Sequence, residues 1–244
     1  MRIRWNVSRP LTRLASLATL SRRERVHELL DEHDAPAEDV ERSLRDLRRF
    51  NRYCGGTRAY RLLLRRLAGR RDLSDLAILD LGTGTSDLLE SLPDFRSLQA
   101  FGLDIKIDHL TYGRRTGHPA TLRLAGDATC LPFRDDSVDI VTSSHFFHHF
   151  DEQTNARILD ESLRVSRVGV MVTDTRRHYA PWLFCKVLGW CGLVGRITRF
   201  DAPASVLQGF VPREVAAIAD GMNATRWEIV GVVPFRFGLL LWKE

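Results

Sequence analysis

Cysteine is scarce: Cys54, Cys130, Cys185 and Cys191 are the only four in 244 residues, and none has CxxC or Cys/His ligand spacing. That argues against a disulfide framework and a cysteine-based metal centre, and leaves reduced thiols in a cytoplasmic protein. No run of about 18 uncharged apolar residues occurs, so no membrane-crossing helix is expected. The nearest approach, PWLFCKVLGWCGLVG at 181–195, is interrupted by Lys186. The first 25 residues also lack the apolar stretch of a secretory signal. They are short of acid too: Glu24 stands alone against Arg2, Arg4, Arg9, Arg13, Arg22, Arg23 and Arg25, which makes a basic N-terminal tail. The net charge of +5 fits an anionic partner such as nucleic acid or a membrane surface contacted peripherally, but arginine-rich solvated helix faces are the commoner cause.

What is present is a soluble globular composition, 44% hydrophobic and 27% charged. Residues 36–69 predict two helices broken at Gly55-Gly56, with Asp34 as a cap for the first and Val40, Leu44, Leu47 and Phe50 as its apolar stripe. After Asp75 the pattern changes to short apolar runs at 77–81, 98–103, 120–125, 138–142 and 168–173, with helical segments near 86–92, 107–116 and 152–164. Such alternation predicts βαβ units and a parallel sheet. A helix opened by Pro212 follows, then apolar runs at 227–233 and 235–243 flanking Pro234. Strands joined so tightly must be antiparallel, because a parallel return needs about a dozen residues or more. The expected organisation is a basic tail and helical arm over 1–72, then an α/β domain over 73–244 carrying an apolar insertion at 176–211.

The stretch AILDLGTGTSDLLESL, residues 77–92, ends a strand in Asp80 and turns through Gly82-Thr83-Gly84 into a helix. A dinucleotide fingerprint would require glycine at 87, where Asp87 stands, and a carboxylate in the first helical turn disfavours a pyrophosphate. The Walker lysine is absent as well. About 20 residues beyond the glycines, Asp104 in GLDIK can accept both ribose hydroxyls of an adenosyl group. In GDATCLPFRDDSVDIVT, 126–142, Asp127 can accept from an adenine amino group while the Ala128 backbone addresses the ring edge.

With these residues the sequence resembles the class I S-adenosylmethionine-dependent methyltransferases. The resemblance rests on ILDLGTGTSD, GLDIK, GDATCLPFRDDSVDIV and SSHFFHHFDEQTNARILDESLRVSR, and covers roughly residues 76–175. It implies S-adenosylmethionine as cofactor and a Rossmann-like seven-stranded sheet, mostly parallel, with an antiparallel C-terminal hairpin. The cofactor set it implies is Asp80, Gly82, Thr83, Gly84, Ser86, Asp104, Ile105, Asp127, Ala128, Ser143 and Ser144. The sequence departs from the family at Ser86, in place of a third glycine, and at Val168-Gly169, in place of a Pro-Gly-Gly turn.

Methyl transfer from a sulfonium is an in-line displacement that needs alignment and exclusion of water. A phenol, with pKa about 10, must also lose its proton. The resemblance to small-molecule O-methyltransferases implies His148 as base, Asp174 as its orienting partner and His149 as a second candidate; His145 and His178 lie on neighbouring turns. The apolar stretch 181–195, with Trp182, Phe184 and Trp190, is expected to roof a pocket for an apolar phenol or hydroxyquinone, with the arm as the other wall. An Asn-Pro-Pro-aromatic motif for a flipped base and a Tyr-x-x-x-Lys dehydrogenase pair are both absent. A non-catalytic cofactor-binding partner protein stays open as an alternative.

Overall fold

The computed structural model describes residues 28–31, 35–92, 97–117 and 121–243. Most of the basic tail and the Asp34 cap lie outside them. The first two helices, α1 (Ala37–Tyr53) and α2 (Gly56–Ala68), meet at Gly55, which takes the left-handed conformation a side chain would resist. Strand β1 (Ala77–Leu81) is buried at every position, as a central parallel strand must be. A single helical turn α3 (Asp87–Glu90) follows, then β2 (Gln99–Asp104), α4 (Ile107–Thr116), β3 (Leu122–Ala125) and β4 (Val138–Ser144). Helix α5 (Glu152–Val165) runs directly into β5 (Ser166–Thr175). Helices α6 (Tyr179–Trp190), α7 (Arg196–Gln208) and α8 (Pro212–Asp220) precede the closing strands β6 (Arg226–Val232) and β7 (Arg236–Trp242).

The seven strands lie in the order β3-β2-β1-β4-β5-β7-β6. All neighbours are parallel until β7, which runs antiparallel to both β5 and β6. The seven-stranded sheet and its antiparallel end are therefore as the sequence implied. Strand order reverses between β1 and β4, so the loops after these strands part and leave a crevice at their carboxyl ends.

Each sheet face has its own core. On one, Ala59, Leu63, Leu64 and Leu67 of α2 pack against Ile78, Ile140, Met171 and Leu240; on the other, Ile158, Leu159 and Leu163 of α5 and Val215 of α8 cover Leu79, Val141 and Leu239. The second arm helix is thus a layer of the fold rather than a wall standing off it.

Several local expectations are corrected. Helix α3 stops at Glu90 instead of 92, because the residue before Pro93 is driven from helical geometry. Val168 and Gly169, in contrast, lie inside β5 as the apolar run 168–173 implied, and Gly169 opposes Trp242 of β7. The apolar insertion folds as two packed helices, α6 and α7, for which the sequence indicated no helical boundary.

Candidate active site

The loop after β1 is built by backbone geometry. Gly82 and Gly84 have φ of 62° and 52°, and Ser86 follows them at 63°. A side chain on Gly82 would strike the Phe146 ring, whereas one on Gly84 would meet nothing within 4 Å, so Gly84 leaves open space above the turn. Ser86 bears the strain a third glycine would not, and accepts a hydrogen bond from the Thr83 hydroxyl at 3.1 Å.

Asp104 ends β2 beside this loop. The Gly84 N–H donates to its Oδ2 at 2.8 Å and the Lys106 N–H to its Oδ1 at 2.9 Å. Each carboxylate oxygen keeps a further acceptor site, so a diol can be added without breaking the loop. Ile105 exposes its apolar side chain next to it, and Ala128 is buried after β3. Asp127 is exposed and accepts from the Thr129 N–H and hydroxyl, both at 2.8 Å.

Asp80 lies behind the loop, fully enclosed. Burial pushes its pKa up to about 7, against the Thr142 and Thr83 hydroxyls that favour the ionised form. The Thr142 hydroxyl donates to Asp80 Oδ1 at 2.7 Å and lies 2.8 Å from the phenol oxygen of Tyr60, so α2 reaches through the sheet layer to the loop's support. The sequence gave no sign of Tyr60 here, because its partner is 82 positions away.

The residues fit an adenosyl sulfonium. Ser143 Oγ and Ser144 Oγ, at the end of β4, are buried with no hydrogen-bond partner, a costly state unless a ligand group meets them. Ser143 and Ser144 would hold the amino-acid portion, Asp104 the ribose and Ile105 with Ala128 the ring.

A second cluster follows β4. The 3₁₀ turn Phe147–His149 sets His148 over the end of β5, where its Nδ1 lies 2.7 Å from Asp174 Oδ1 and its backbone N–H donates to Oδ2 at 3.2 Å. Both side chains are fully buried. Burial alone would lower the pKa of His148, but Asp174, with help from Glu28, raises it to about 10; Asp174 is held at about 2 by the same pairing despite its own burial. The two carboxylates favour the protonated ring, so the pairing that orients His148 also disfavours its neutral form.

Glu28 is the residue that sequence reading missed. It stands on the far side of the His148 ring, 3.6 Å from Nε2, and 3.9 Å from Nε2 of His149. Ser205 of α7 donates to it at 2.6 Å, while Asp201 accepts the Leu29 and Leu30 N–H groups, each at 2.9 Å. No local pattern could have singled it out. His149 lies half-buried with its ring 4.4 Å from that of His148. His145 packs with Arg236 at Nε2 and Thr175 at Nδ1, and burial holds its pKa well below the usual value. His178 caps α6, taking the Ala180 N–H at 3.1 Å, and stacks on Phe235. These last two serve structure.

A family model described as a methyltransferase domain matches residues 79–173. The chain is 36% identical over 115 residues to a protein of Renibacterium salmoninarum named demethylmenaquinone methyltransferase, covering 47% of this chain and 46% of that one. A protein of the same name from Streptomyces avermitilis is 35% identical over 106 residues, covering 43% and 44%. The chain thus spans about half the length of the curated relatives it matches. Among solved structures, a SAM-dependent methyltransferase from Aquifex aeolicus superposes with a TM-score of 0.54 at 17% identity, over 80% of this chain and 97% of that one. Magnesium protoporphyrin IX methyltransferase from Synechocystis, solved with bound SAH, gives 0.54 at 12% identity over 78% and 84%. Residues 79–173 thus match a methyltransferase domain, and the sheet order gives the chain the fold of the S-adenosylmethionine-dependent methyltransferases on which it superposes.

Proposed function

We propose that the chain methylates an apolar hydroxyquinone or phenol, at oxygen, and that the His148–Asp174 pair holds the acceptor as its anion. The observation that carries this reading is a buried imidazole at the carboxyl ends of β4 and β5, bonded to Asp174 at Nδ1 and 3.6 Å from the Glu28 carboxylate at Nε2, an arrangement that favours its protonated form. A phenolate oxygen has the charge and hydrogen-bonding character of that carboxylate, so an ionised acceptor can replace Glu28 on the Nε2 side. The bound cofactor supplies an electrophilic methyl group on a sulfonium. The protein supplies alignment and exclusion of water, and His148 neutralises the oxygen until it attacks. The quinone in the names of the relatives supports an apolar acceptor.

The experiment is turnover of S-adenosylmethionine with a series of hydroxynaphthoquinones and phenols, with products identified by mass and carbon NMR. Oxygen-methylated product is expected; transfer to a ring carbon overturns the oxygen assignment, and no product from the series overturns the acceptor class. His148→Gln should lower kcat/KM by about 10²–10³-fold with S-adenosylhomocysteine affinity retained. That loss should persist above the acceptor's own pKa. Recovery at high pH would make His148 a base instead.

A further inference from the structure

We propose that α6, the following turn and α7 form a docking surface for an anionic lipid bilayer. Leu183, Phe184, Val187 and Trp190 project from one side of α6 at helical spacing, with Leu193 and Phe200 beyond it, and all six are 46–83% exposed. So much contiguous large apolar surface is unusual on a soluble monomer and marks an interaction site.

Charge identifies the partner. Between Asp174 and Asp201 the chain contains no Asp or Glu, while Lys186, Arg196 and Arg199 are exposed among the apolar groups. Arg196 pairs with Asp39 of α1 at 3.6 Å, while Lys186 and Arg199 stand among exposed aromatic and aliphatic side chains, as on helices that lie in a membrane interface. A protein partner's apolar core would not require that one-sided charge, whereas an anionic headgroup layer attracts it. The covalent path adds to this. Residues 1–27, which carry seven arginines against Glu24, join the described chain at Glu28, and Glu28 is bonded to Ser205 on α7. Glu28, where those residues join the described chain, therefore lies against α7. Helix α7 also packs against the Phe147–His149 turn, so the surface lies next to the second cluster of the site.

The test is co-sedimentation of the full chain with vesicles of phosphatidylcholine alone and of phosphatidylcholine mixed with phosphatidylglycerol. Binding is expected to the mixed vesicles and to fall with added salt. Leu183→Gln combined with Trp190→Gln should weaken it about tenfold or more, because the apolar contact is removed. Lys186→Gln should weaken it by about fivefold on the anionic vesicles only. The melting temperature and S-adenosylhomocysteine affinity of these variants should match the parent. Failure of the parent to bind either vesicle overturns the proposal. So does binding that survives all three substitutions, which would assign the attraction to the tail alone. A parent that is dimeric by light scattering and becomes monomeric on Trp190→Gln would show that a second copy covers the face, and overturns it likewise.

Discussion

Asp104 joins two tasks in one carboxylate: it fixes the loop through the N–H groups of Gly84 and Lys106, and it offers its remaining acceptor sites to the crevice. Asp104→Ala should weaken S-adenosylhomocysteine binding by at least one charged hydrogen bond, about 1.5–3 kcal/mol. Titration calorimetry reads this, with circular dichroism as the check on folding; unchanged affinity would remove Asp104 from the ribose contact. Asp104 was legible because a strand end, a spacing and an acid coincide in a short window. Glu28 was not, since it reaches His148 from 120 positions away and stands in a mixed run of acids and arginines with no motif to mark it. The same window reading gave His148 its position but not its charge, which depends on how Asp174 and Glu28 flank it in space.

Helix α2 lies so close to the sheet that β7 has a glycine beneath it. A side chain on Gly238 would come within 2.4 Å of Leu63 Cδ1. Gly238→Ala should therefore cost about 1–3 kcal/mol by overpacking, measured by urea denaturation. Leu63→Ala added to it should recover part of that loss, although Leu63→Ala alone is destabilising. Additive losses would mean the contact is not what excludes a side chain. At this scale the parallel core was readable from strand-length apolar runs, and the final antiparallel pair from the short span around Pro234. The α6–α7 pair was not, since a helix that exposes its apolar side chains has no polar face to mark its period. The packing of α2 was hidden for a related reason: its stripe fits a lid, a partner or a sheet equally well.

The whole molecule should show a stability profile with two distinct losses as pH rises, one on the acidic side of neutrality and one above it. Asp80 has its folded pKa raised from 3.8 to about 7, so its contribution is full below about 3.8 and disappears as pH rises through about 7. His148 is raised from 6.5 to about 10, so its contribution is full below about 6.5 and disappears as pH rises through about 10. Asp174 has the opposite sign: lowered from 3.8 to about 2, its contribution is full above about 3.8 and is lost as pH falls through about 2. Denaturant midpoints taken across pH should fall in both upper ranges. Asp80→Asn should flatten the lower of the two and His148→Gln the upper. A profile that neither substitution alters would show that these groups titrate alike in the folded and unfolded chain. Asp174→Asn should cost about 3–5 kcal/mol near neutrality, because it leaves a buried cation unmatched.

The clamp of Asp201 on the Leu29 and Leu30 N–H groups has a practical consequence for anyone handling this enzyme. It holds the first described residues against the His148 cluster. A protein shortened past Glu28 loses the carboxylate beside His148, which helps to raise the pKa of that imidazole. Carboxy-terminal fusions avoid this problem: β7 ends at Trp242, at the opposite end of the strand from Arg236, which lies beside Asp174 and His145.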